Sequence, residues 1–442
     1  MSGDPKEAER PSLFGAAMAT YGTHVAVSVL SLVSVLIVAR VLGASGRGEV
    51  AFLITIATLS SQFALLGIPD ANGNLAGARP ELRPQLATNS LFFAAIFGVT
   101  AAAIVGALAD LIPGLTGELD RELVWIALAA IPLGIARWCL NLLVQADYAF
   151  MATNRAWLAG PLTTVVANGA MALLGELTVT TAIAAWVGGQ ALSVTILVTY
   201  VARHAGFGRP SITVGRETVA FGTKAYVGRT LAVGNTRADQ WIVGSIAGST
   251  ELGLYSVAVA WAEVIHYLPG VLVMVQRPDL VRLSREKAGQ FAARIFRVAI
   301  FLGLALTVVL VVAAPILCVT IFGEEFRGSI DDLRVLALSS VGVAAVFLLG
   351  NALIAQRKPL HASAAEASAL VASIALNLIL VPLYGGLGAA IAAALAFTLG
   401  GLTVSVVFSK MLRVPLRELL PRGDEIPWLW RKAREYVSLA RG

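Results

Sequence analysis

The stretch AARIFRVAIFLGLALTVVLVVAAPILCVTI, residues 292–321, carries no charge after Arg297 and consists mostly of Val, Leu, Ala and Ile. Crossing roughly 30 Å of hydrocarbon takes about 20 mainly apolar residues, so this run is long enough to span a bilayer. Similar runs lie near residues 12–39, 49–68, 86–109, 123–145, 156–175, 179–202, 218–247, 252–275, 334–355, 362–382 and 387–409. In lipid every backbone amide must be bonded within its own segment, and long uninterrupted runs then select helices. The composition agrees: 57% of the 442 residues are hydrophobic and 14% charged, with mean hydropathy +0.79. Soluble domains carry nearer a quarter charged residues. The expected fold is an all-α integral membrane bundle of about 12 transmembrane helices, and an ordinary soluble fold is excluded.

Charge in the short connections gives an orientation. Arg79, Arg83, Arg203, Arg209, Arg216, Arg277, Arg282, Arg285, Lys287, Arg357 and Lys358 fall on one side, while Asp110, Glu118, Asp120, Glu324, Glu325, Asp331 and Asp332 fall on the other. Basic connections stay cytoplasmic, which places both termini in the cytoplasm of a cell whose plasma or inner membrane holds the chain. The N-terminal MSGDPKEAERPSLF lacks a short apolar stretch with a cleavage site and reads as a retained leader. The net charge of +6 comes from these orientation signals, so nucleic acid is rejected as a partner.

A shift of 205 residues carries Gly43 onto Gly248 and Gly48 onto Gly253, each pair in the outer turn between two runs. The echo implies a parallel repeat of six helices. The expected division is an N-terminal six-helix lobe over 1–202, a cytoplasmic connection over 203–217 and a C-terminal six-helix lobe over 218–410. A basic cytoplasmic tail, 411–442, follows and includes Trp428 and Trp430. That tail suits either anionic headgroups or plain solvation.

Ionisable residues inside spans are costly, roughly 2.5–3.5 kcal/mol each, and so mark function or pairing. The seventh run holds Lys224, Arg229, Arg237 and Asp239 with Gly222, Gly228 and Gly234. It reads as one long tilted or bent helix bearing a positive ladder, with Arg229 near the midplane. Lys224 can also snorkel, and Arg237 can pair with a carboxylate. In the fourth run Arg137, Asn141 and Gln145 are four residues apart and share a face, expected to line a cavity. The eighth places Glu263, His266 and Tyr267 on one face, followed by Pro269, where a kink is expected. Glu263, His266 and Asp239 are ion-coupling candidates; alternatively Glu263 neutralises Arg229 or Arg237. His24 reads as a packed imidazole, and Asn168, Asn351 and Asn377 as interhelical hydrogen-bonders. Cys139 and Cys318 lie in apolar runs and behave as small hydrophobes, so neither a metal site nor a disulfide framework is expected. With no phosphate-cradling loop, zinc motif or nucleophile elbow, the sequence offers no ATPase or hydrolase, and no cofactor.

Three stretches resemble the polysaccharide flippases of the multidrug/oligosaccharidyl-lipid/polysaccharide exporter superfamily. They are VARVLGASGRGEVAFLITI at 38–56, RADQWIVGSIAGSTELGLYSVAVAWAEV at 237–264 and NLILVPLYGGLGAAIAAALA at 377–396. Asp239, Gly248, Gly253 and Tyr255 carry the second match, and Asn377, Pro382, Gly386 and Gly388 the third. The resemblance implies two six-helix lobes around a central cavity. It also implies movement of a polyprenyl-diphosphate-linked oligosaccharide to the outer leaflet for cell-surface polysaccharide synthesis, with membrane lipids, a polymerase and glycosyltransferases as partners. A diphosphate is strongly anionic, so Arg137, Lys224, Arg229 and Arg237 are the expected substrate-binding residues by position. The chain is then a transporter and not an enzyme. A cation-coupled multidrug exporter of the same superfamily is the alternative.

Overall fold

The apolar runs fold as helices that end where the sequence supplies a glycine, a proline or a capping hydroxyl. The computed structural model describes residues 13–111 and 119–422, with the side chains of 13–17, 224–233, 235–236, 274–275 and 277–279 outside the description. Every regular element among the described residues is helical. The chain divides into two compact units, one ending at Thr230 and the other beginning at Leu231. The division falls inside a single helix.

The first unit holds α1 (Leu13–Ala64), α2 (Ile68–Ala78), α3 (Arg83–Leu111), α4 (Arg121–Leu128), α5 (Ala130–Gln145), α6 (Phe150–Leu174), α7 (Val179–His204) and the start of α8 (Ile212–Ile246). The second holds the rest of α8, then α9 (Gly248–Ala262), α10 (Val264–Arg282), α11 (Arg285–Pro315), α12 (Ser329–Ala337), α13 (Ser340–Ala355) and α14 (Pro359–Leu412). Eight described stretches are long and apolar enough to cross a membrane, and α12 with α13 make a ninth, bent by 44°. At 52 and 54 residues, α1 and α14 exceed one crossing, and each divides at a glycine outside helical geometry, Gly43 and Gly385. In α14 the two halves fold back on each other: a Cβ at Gly400 would stand 2.8 Å from that of Ala369. Counting α1 and α14 twice and adding α8, which at 35 residues is long enough to cross, gives twelve crossings among the described residues.

The repeat seen in sequence has a backbone counterpart. Gly43 and Gly248 both sit in left-handed geometry, at φ 68° and 87°, which an L side chain adopts only at a cost. A second pair, Gly175 and Gly385 at φ 73° and 56°, occupies the turns between the fifth and sixth and between the eleventh and twelfth crossings. α7 starts on a reciprocal cap, where Thr178 Oγ1 accepts from the Thr181 N–H and Thr181 Oγ1 from the Thr178 N–H. The connection between α7 and α8 is short and pinned to α3. Gly208 N–H donates to Pro84 O at 2.9 Å, Thr88 Oγ1 to Gly208 O at 2.8 Å, and Asn89 exchanges two hydrogen bonds with the Ser211 backbone.

Each unit has its own core. Leu75, Leu86, Leu140, Leu143 and Leu197 pack in the first, and Leu280, Phe296, Leu348, Leu349 and Phe408 in the second. Lipid tails are as apolar as leucine, so small residues that allow close helix approach matter most. Glycine supplies several such contacts: a Cβ at Gly222 would stand 2.7 Å from Leu66 O, and one at Gly342 2.4 Å from Phe397 O. Large apolar side chains such as Leu173 and Val312 lie exposed at 92% and 72%, as hydrocarbon-facing positions require.

Two local expectations change. The turn in the eighth crossing comes at Glu263, between α9 and α10, six residues before Pro269. The proline ring clashes with the carbonyl four residues earlier, so its distortion is absorbed toward the N-terminal side. Asn168 does bond across helices, to Ser34 Oγ at 3.2 Å, but Asn351 and Asn377 donate to Phe347 O and Ser373 O within their own helices. The start of the tail is docked on the second unit: Leu419 is buried and Arg297 donates to Glu418 O at 2.5 Å. Trp428, Trp430 and the basic residues after Arg422 lie outside the described residues.

Candidate functional site

In the first unit three helices converge on one tryptophan. Trp157 of α6 meets Trp138 of α5 edge to face, with ring centroids 5.3 Å apart, and His24 of α1 at 5.6 Å. The Arg137 guanidinium lies over both indoles, 4.7 Å from the Trp157 centroid and 5.6 Å from that of Trp138. Cation–π attraction holds it there, worth about 0.5–2 kcal/mol according to how dry the site is. No carboxylate pairs with Arg137 among the described residues, and its buried Nε has no hydrogen-bond partner. One turn on, Asn141 is buried with an unpartnered Oδ1.

A guanidinium in a membrane span normally acquires a counter-ion or reaches the interface. Here its Nε has no partner and its plane lies against aromatic faces, an arrangement suited to a planar, charge-assisted grip on an external anion. Sequence reading selected Arg137 but neither tryptophan nor His24. The signal available was an arginine followed at once by one tryptophan, with a second in the next run.

In the second unit Arg237, expected to bind substrate, donates to Glu263 at 3.1 Å; both side chains are roughly two-fifths exposed. The pairing offsets both charges, which weakens each as a separate ligand or coupling group. Asp239 is buried and accepts a hydrogen bond of 2.5 Å from the Tyr255 hydroxyl and one of 2.7 Å from the Gln240 N–H. Tyr255 is itself fully buried. Sequence reading named both residues but not their bond, since sixteen residues and a turn separate them. His266 packs edge-on against Phe347 and Phe397, both at 5.8 Å, and its Nε2 is buried without a partner.

Near the turn of α14, Glu251 accepts from the Gly386 N–H at 2.9 Å, with buried Asp332 alongside. Among the described residues no group of three or more His, Cys, Asp or Glu is placed to hold a metal. Both cysteines are buried. The backbone of Lys224 and Arg229 belongs to α8, and their side chains lie outside the described residues.

The chain is a multi-pass membrane protein whose crossings retain buried ionisable groups, which in a membrane interior mark a candidate functional site. The fold is shared with solved transporters. The Lipid II flippase MurJ in an inward closed conformation is similar with a TM-score of 0.78 at 13% identity, over 92% of this chain and 89% of that one. An inward-facing multidrug resistance MATE family transporter of the MOP superfamily gives 0.71 at 15% identity, over 88% and 96%. A mutant of the Vibrio cholerae MATE transporter VcmN gives 0.60 at 14%, over 91% and 97%. No curated protein matches the chain in sequence. Residues 37–331 match the family described as "Polysaccharide biosynthesis protein", and the chain belongs to it.

Proposed function

We propose that this protein is a flippase that carries a polyprenyl-diphosphate-linked oligosaccharide from the cytoplasmic to the outer leaflet of the cell membrane. The observation that carries the reading is the Arg137 guanidinium, lodged on Trp157 and Trp138 without a carboxylate partner. A diphosphate supplies the missing partner. Membership of a polysaccharide biosynthesis family favours a lipid-linked sugar as cargo, and so does likeness in fold to a lipid II flippase. A cationic drug would meet an unpaired positive charge in the first unit, and a carboxylate already paired with Arg237 in the second.

In this reading Lys224 and Arg229 join Arg137 along the cargo's route, and Arg237 is held back by Glu263. Asp239, bonded by Tyr255, is the coupling acid if protons drive the cycle, with His266 the next candidate. Moving each negative charge out of an inside-negative cell gains roughly 2.3 kcal/mol per 100 mV, so no nucleotide is needed. Glycosyltransferases supply the cargo on the cytoplasmic face and a polymerase consumes it outside. Both termini are cytoplasmic. Single cysteines at Glu81 and Thr250, exposed to impermeant thiol reagents, test that orientation, with labelling from outside expected only at 250.

The test of function is depletion of the protein followed by mass spectrometry of lipid-linked sugars. Accumulation of an intact oligosaccharide on polyprenyl diphosphate, facing the cytoplasm, is the expected result. Unchanged lipid-linked sugars with normal surface polymer would refute it.

A further inference from the structure

The first unit carries a concave feature that the transport reading does not use. A groove of about 530 Å³ runs between the first turns of α3 and of α8, walled by Phe92, Phe93 and Ile96 on one side and Gly215, Val219 and Ala220 on the other. Phe93 stacks on Phe97 at 5.5 Å, which stiffens the floor. The upper wall is fixed by the two hydrogen bonds between Asn89 and the Ser211 backbone. Phe92 and Ile96 stay more than half exposed. The volume lies within the roughly 300–1,000 Å³ usual for small-molecule sites.

The rim is charged and the interior is not. Arg216 lines the mouth, and Arg209 adjoins Pro210, which also lines it. Neither arginine has an ion-pair partner among the described residues. The nearby carboxylates are already matched, Glu217 by Arg79 and Asp147 by Arg83. Phe92 follows the start of α3 by nine residues, about 14 Å along a helix. The apolar walls therefore sit at acyl-chain depth, and the long, exposed Arg216 side chain, whose backbone lies level with Phe93, extends toward the headgroup level, nearer which Arg209 lies before the start of α8.

From this placement we infer that the groove is a binding site for an anionic phospholipid, one acyl chain lying between α3 and α8 and the phosphate resting on Arg216 and Arg209. Charge decides the occupant: a neutral lipid fills the groove equally well but leaves both arginines unmatched. An acidic lipid answers both features, and the cytoplasmic leaflet supplies it. Its bound headgroup lies against residues 205–211, so the lipid holds the connection between α7 and α8 to α3. The inference does not depend on the identity of the transported cargo.

The test is native mass spectrometry of the full chain with phosphatidylglycerol or phosphatidylcholine of identical chains, on wild type, R216Q, R209Q/R216Q and A220W. Retention of one phosphatidylglycerol per chain is expected, with phosphatidylcholine held far more weakly. Each arginine contributes about fivefold to affinity, so R209Q/R216Q should lose about 25-fold. A220W fills the groove and abolishes retention of either lipid, while the charge control K410Q on α14 retains wild-type binding. Thermal midpoints confirm that each variant is folded, and the arginine variants carry the test if A220W is not. Equal retention of the two lipids, or wild-type retention by R209Q/R216Q, overturns the proposal. Displacement of phosphatidylglycerol by undecaprenyl phosphate overturns it in favour of a cargo-chain site. Concentration-dependent dimers that A220W abolishes overturn it in favour of a contact between copies.

Discussion

Replacing Arg137 with methionine separates a functional arginine from a structural one, because the two roles change stability in opposite directions. In the folded protein the guanidinium gains about 0.5–2 kcal/mol from the faces of Trp157 and Trp138. Against this stands the cost of a buried, unsatisfied Nε, about 1–3 kcal/mol. The two nearly cancel, so R137M leaves the thermal midpoint in detergent within about 4 °C of wild type or raises it. Binding of a polyprenyl diphosphate falls much further. A charge-assisted hydrogen bond is worth about 1.5–3 kcal/mol, so losing one weakens binding about 10- to 150-fold. R137K keeps the charge without the planar fork and falls between the two. Parallel thermal-shift and lipid-binding assays check both limbs. A variant that unfolds early yet binds normally would show that Arg137 is a packing element, and the reasoning would fail.

Three further outcomes follow from the same geometry. Y255F strips Asp239 of its tyrosine hydrogen bond and should cost about 1.5–3 kcal/mol of stability, with an unchanged midpoint speaking against a structural role for that bond. A double-mutant cycle on Arg237 and Glu263 should give a coupling below about 1 kcal/mol, since both side chains are well exposed; a coupling several times larger contradicts this. G222A introduces a Cβ 2.7 Å from the Gly67 carbonyl carbon and should destabilise the protein by about 1–3 kcal/mol, the cost of an overpacked contact, read as a lower thermal midpoint; an unchanged midpoint contradicts this.

The helical, membrane-spanning nature of the chain was legible because hydrophobic run length is a one-dimensional property. Stretches such as 292–321 declare it without reference to partners. The repeat was half legible: Gly43 and Gly248 were found by their spacing, whereas Gly175 and Gly385 emerged only from their shared left-handed backbone. The site was less legible, since convergence is a three-dimensional fact. Arg137 could be chosen as a charge in an apolar run, but its contact with Trp157 and His24 depends on how α1, α5 and α6 pack. The pairing of Arg237 with Glu263 was one of the options named, and the 3.1 Å contact itself is visible only in three dimensions. The turn at Glu263 was not legible, because a proline signals a distortion without saying which preceding turn absorbs it.

The central claim is that a positively charged, aromatic-backed site inside the membrane carries an acidic lipid head across it. Reconstitution into liposomes with a polyprenyl-diphosphate-linked oligosaccharide, its appearance in the opposite leaflet followed by a membrane-impermeant glycosidase, measures that step alone. The account predicts transfer by wild type well above protein-free vesicles and near-background transfer by R137M at equal incorporation. Equal transfer by the two proteins, or none above background by wild type, would contradict it.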